Sequence, residues 1–99
     1  MRTALETHLA ALAAAGETTT YGALARELGL RVAELTAQLE SLMETDAAAG
    51  APFRAALLNA RGTTLPARGF FDKAASLGAD TSDLAQLAQD HRQRLFTQR

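Results

Sequence analysis

Leu5, Leu9 and Leu12 recur at the spacing of one helical face. Thr3-Ala4-Leu5-Glu6 has the form of a capping box, with a hydroxyl for the amide of Glu6 and a carboxylate reaching back. Gly16 supplies a left-handed stop, so the first predicted helix lies between Thr3 and Gly16. Glu17 to Thr20, rich in threonine, reads as a brief extended segment. Leu24, Ala25 and Leu28 mark one face of a second helix from Tyr21, which Thr20 caps and Gly29 ends. Val32, Leu35, Leu39 and Leu42 are spaced for a third helix that fades beyond Asp46 and stops by Gly50 and Pro52.

From Phe53 to Arg61 the pattern changes, because apolar residues occupy both alternating sets. A strand covered on both sides is expected, with a short helix left open, since periodicity alone does not separate the two. Gly62-Thr63-Thr64 is a turn signal, and Pro66 confines Leu65 to Gly69 to an edge strand or loop. Phe70 to Leu77 reads as a short helix ended by Gly78. A last helix begins at Asp80 or Thr81 and runs to about Phe96, with His91 on its apolar face. The expected fold is mainly α with a small β-hairpin and one or two C-terminal helices.

Ala25 is small where two steeply crossed helices would touch, Gly29 accepts a positive backbone angle in the turn, and Leu30 plugs the angle between them. Leu35 and Leu39 would then pack the second helix of the pair onto the first. The run Leu24-Ala25-Arg26-Glu27-Leu28-Gly29-Leu30 with Leu35 and Leu39 resembles the winged-helix (helix-turn-helix) superfamily over residues 3 to 71. The resemblance implies a helix-turn-helix over about 21–46, a recognition helix from Val32 to Asp46, a wing over about 53–71 and a C-terminal extension over 72–99, all in a single domain. It departs at Arg31, where the family places a serine or threonine cap.

A fainter likeness is to the DNA-binding fold of alkyltransferase-like proteins, carried by Thr20-Tyr21-Gly22 and loosely by Pro52, Arg54, Asn59 and Gly62. The chain has no cysteine to accept an alkyl group, no proline-tryptophan-histidine-arginine run, and no arginine inside the third helix. That likeness therefore implies shared architecture only.

Charge decides how the motif is read. The formal net charge is -1, so the chain as a whole is no polyanion binder. Glu34, Glu40, Glu44 and Asp46 load the third helix with acid, which opposes phosphate. Between Ala47 and Phe71, by contrast, the charged residues are Arg54, Arg61 and Arg68. Those three suit phosphates or a narrow minor groove, or simply a solvated surface. Arg31 and Thr36 fall where a recognition helix meets bases, and the Tyr21 hydroxyl either meets a phosphate or stays wet above a packed ring.

Three functions follow as expectations. The first is weak binding of double-stranded DNA through Arg31, Thr36, Tyr21 and the wing arginines. The second is a protein-interaction module whose acidic third helix meets a basic partner. The third is a small-ligand sensor with its pocket between the wing and the last two helices. No thiolate zinc site, metal spacing, phosphate loop or catalytic triad is present in the sequence, so no cofactor and no enzyme are expected. Arg2, Glu6 and His8 interrupt Met1 to Ala15, which argues against a secretory leader and for the cytoplasm. No apolar run is long enough for a membrane span. A homodimer pairing Asp80–Arg99 with the first helix is expected from the apolar surface of the last helix.

Overall fold

The computed structural model describes residues 3–97. Arg2 and Arg99, used above in the leader and dimer readings, lie outside them. The elements run α1 (Ala4–Ala15), β1 (Thr19–Thr20), α2 (Tyr21–Leu28), α3 (Val32–Ala48), a 3-10 turn (Arg54–Leu57), β2 (Leu58–Asn59), α4 (Arg68–Ser76) and α5 (Leu84–Thr97).

Local chemistry sets the helix ends. The Thr3 hydroxyl accepts from the Glu6 amide at 3.1 Å while the Glu6 carboxylate accepts from the Thr3 amide at 3.2 Å. The Thr20 hydroxyl accepts from the Ala23 amide at the start of α2, and Asp83 accepts from the Gln86 amide at the head of α5. Gly29 closes α2 at φ 69°, a conformation that carries no Cβ penalty only for glycine. There the Leu30 amide donates to the Ala25 carbonyl at 2.9 Å, which turns the chain into α3. Ala25 and Leu24 are buried against α3, whose Leu35, Leu39 and Met43 face inward.

The molecule is mainly helical with a small two-stranded sheet. The sheet is paired differently from the hairpin expected within 53–71. β1 and β2 run parallel, with Thr19 opposite Leu58 and Thr20 opposite Asn59. Within Phe53 to Arg61, expected as a strand with a short helix left open, Arg54 to Leu57 forms the 3-10 turn and only Leu58 and Asn59 are strand. Apart from half-buried Arg54 the turn's residues are buried, packed by α1, α3 and α5 together. Buried residues on both alternating sets show no clear apolar period, which is why the pattern does not distinguish strand from helix. Of the expected hairpin there remains a loop, closed where the Ala60 amide donates to the Leu65 carbonyl at 2.8 Å.

The last two helices differ in detail from expectation. α4 starts earlier, at Arg68, and buries Phe70 and Phe71 in the core. α5 starts later, at Leu84. Its Ala88 and Leu95 are buried against α1 and the 3-10 turn of the same chain, Leu87 and Phe96 are partly buried, and Leu84 stays 41% exposed. Among the described residues, no helix is long and apolar enough to cross a membrane.

Candidate nucleic-acid interface

Six residues were expected to meet DNA, and the fold separates them into two groups. Arg31, Arg61 and Arg68 are exposed. Arg31 stands at the head of α3, its side chain 87% exposed, 3.4 Å from Glu34, which also accepts from the Arg31 amide. Arg68 opens α4 with its side chain 94% exposed and a loose contact to Asp72 at 3.8 Å. Arg61 sits in the 60–65 loop and has no ion pair among the described residues.

The other three are half-buried and hydrogen-bonded within the fold. Arg54 is the clear correction, because it is not a wing residue. Its guanidinium lies 2.9 Å from Asp46 and 3.1 Å from Glu6, and its amide donates to Asp46 at 3.0 Å. These carboxylates hold the Arg54 pKa above its usual value, with Asp46 the larger cause. A guanidinium committed to two carboxylates is not offered to phosphate. Thr36 donates its hydroxyl to the Val32 carbonyl at 2.9 Å, the ordinary i−4 bond of a helical threonine. The Tyr21 oxygen accepts from the Ala67 amide at 3.1 Å, and burial pushes its pKa up despite that bond.

The acid on α3 is redistributed too. Asp46 is 4% exposed and answered by Arg54, Glu34 is paired with Arg31, and Glu44 with Lys73. Glu40 alone of the four has no basic partner among the described residues. The helix is therefore less repulsive to phosphate, and less attractive to a basic protein, than its composition suggested.

Arg92, which carried no sequence signal, holds the loop that presents Arg61. Its guanidinium donates to the carbonyls of Ala56 at 2.6 Å, Thr64 at 2.7 Å and Leu58 at 3.4 Å. Burial lowers its pKa, though three acceptors satisfy the fork. Beside it on α5, His91 stacks on Phe53 with centroids 4.7 Å apart and accepts the Phe53 amide at Nδ1, 2.8 Å away. Both contacts anchor the 3-10 turn to α5.

Two hollows adjoin this surface. A groove of about 490 Å3 lies between the loop, α4 and Leu84, where a sensor pocket was expected. A narrower slot of about 150 Å3 lies between α3 and the start of α4, with Leu39, Met43, Phe70 and Tyr21 among its walls. Val32 and Thr36 line it on one side, Ala67 and Gly69 on the other, so the segments bearing Arg31 and Arg68 flank one slot. No family model, no curated protein and no solved structure matches the chain.

Proposed function

We propose that this chain is a winged-helix-type module that binds duplex DNA weakly and with little sequence preference, through phosphate contacts from Arg31, Arg61 and Arg68. The observation that carries the reading is that the neighbours of the exposed Arg31 and Arg68, Val32 on one side and Ala67 and Gly69 on the other, line one slot. Val32, Ala33, Glu34 and Ala37, the other exposed residues of that head, include no donor side chain for a base edge. Positioning contacts without base contacts give affinity but not register. A cytoplasmic location accords with such a role.

The test is a salt titration of binding to a random-sequence duplex. Two or three phosphate contacts correspond to a log-log slope of about -2 to -3. The combined change of Arg31, Arg61 and Arg68 to alanine is expected to abolish binding while leaving the fold intact, since all three side chains are exposed. Absence of binding by the unaltered protein at low salt refutes the reading.

A further inference from the structure

The slot between α3 and α4 has properties that phosphate binding leaves unused. Its walls are apolar, and Val32 at its side is 49% exposed, one of two large apolar side chains so exposed among the described residues. A hollow of about 150 Å3 is the size that accepts one benzene-like group. That is well below the roughly 300–1,000 Å3 typical of sites for free small molecules. It suits a single side chain delivered by something larger.

Charge selects what comes with that side chain. The polar groups around the slot are already engaged: the Tyr21 oxygen accepts the Ala67 amide, and the Thr36 hydroxyl donates to Val32. Glu40 is the exception, half-buried at the slot and the one α3 acid without a basic partner among the described residues. A carboxylate that has lost part of its water beside apolar walls gains most from a guanidinium or ammonium brought to it.

We propose that the slot seats one aromatic or leucine-sized side chain of a partner-protein segment, with an adjacent arginine or lysine of that segment paired to Glu40. The anchor supplies buried apolar area and Glu40 supplies discrimination, the division of labour usual in interface pockets. This inference does not rest on DNA binding and is tested without DNA.

The experiment follows backbone amides by NMR in the full chain while adding acetyl-Phe-Arg-amide, acetyl-Phe-Glu-amide, acetyl-Ala-Arg-amide and phenethylamine. Saturable shifts at Val32, Thr36, Glu40 and Gly69 are expected with the first, and binding at least tenfold weaker with the next two. Glu40→Gln is expected to erase the preference for arginine over glutamate but keep that for phenylalanine over alanine. Thr36→Phe, which fills the slot from its rim, is expected to remove binding, its fold checked by the same spectra. Equal shifts for all peptides, or binding undisturbed by Thr36→Phe, overturn the proposal. So does phenethylamine binding as tightly as the peptide, which would make the slot a small-amine site. Displacement of the shifts to other residues overturns it as well.

Discussion

The Arg54 guanidinium lies 2.9 Å from the Asp46 carboxylate and 3.1 Å from that of Glu6, joining the end of α3 to the start of α1 across the 3-10 turn. Asp46 is the one buried charged residue of the core among the described residues. Its lone pairs are filled by the Arg54 side chain and the Arg54 amide together. The pair is a structural clamp.

Removing one side of the clamp is expected to cost more than removing both. Asp46→Ala leaves a partly buried guanidinium with Glu6 alone, and roughly 3 kcal/mol of stability should be lost. Replacing the pair with Asp46→Leu and Arg54→Met should lose much less, because no charge is stranded. Urea denaturation of the three proteins measures the difference.

The same geometry separates Arg54 from Arg61 in the DNA binding proposed above. Arg54→Met should lower stability yet leave the salt slope of DNA binding unchanged. Arg61→Ala should leave stability unchanged and reduce that slope by about one. A reversed pattern would return Arg54 to the proposed DNA-contacting set.

His91 provides a dependence on pH. Burial lowers its pKa from the usual value, and Arg94 lowers it further, against the opposing pull of Asp90 and Asp46. Its Nδ1 must be unprotonated to accept the Phe53 amide. The unfolded chain therefore takes up this proton more readily than the folded one, and stability rises with pH across the interval. Stability should be full above about pH 7, decline as pH falls through roughly 6.5, and level off below the folded pKa. His91→Gln should flatten this limb. Thermal melts between pH 4 and 8 test it. Glu6 acts in a lower window: its pKa is lowered, first by the Thr3 amide and then by Arg54, so its contribution is lost as pH falls below the usual glutamate range.

Two glycines should respond in opposite directions to alanine. Gly29 has φ 69°, so Gly29→Ala should cost about 1–2 kcal/mol, and Gly29→Asn less. Gly22 lies inside α2 without a positive φ, and a Cβ there meets nothing within 4 Å. Gly22→Ala should stabilise by about 0.5–1 kcal/mol. Melting temperatures decide both signs.

The residues that were legible in advance are those whose partners lie within a turn of chain. Thr3 with Glu6, Thr20 with Ala23, and Gly29 with Ala25 are short-range contacts, and composition at fixed offsets predicts them. The 3-10 turn was not legible because Phe53, Ala55, Ala56, Leu57 and Leu58 are all buried, and Arg54 alone among them is too little to mark a face. Arg54 among alanines looks like any solvated arginine, and its meaning depends on Glu6, 48 residues away. Arg92 is similar, since main-chain carbonyls as acceptors leave no trace in composition.

Patterning and caps were enough to specify the helices, the break at Gly29 and a leucine-rich interior, because backbone hydrogen bonding and apolar periodicity act over a few residues. Which strand lies beside β1, which arginines reach solvent, and where a slot opens beside Val32 depended on packing. Those outcomes follow from charges and surfaces brought together from distant parts of the chain, and a guanidinium pairs with whichever carboxylate the fold sets beside it.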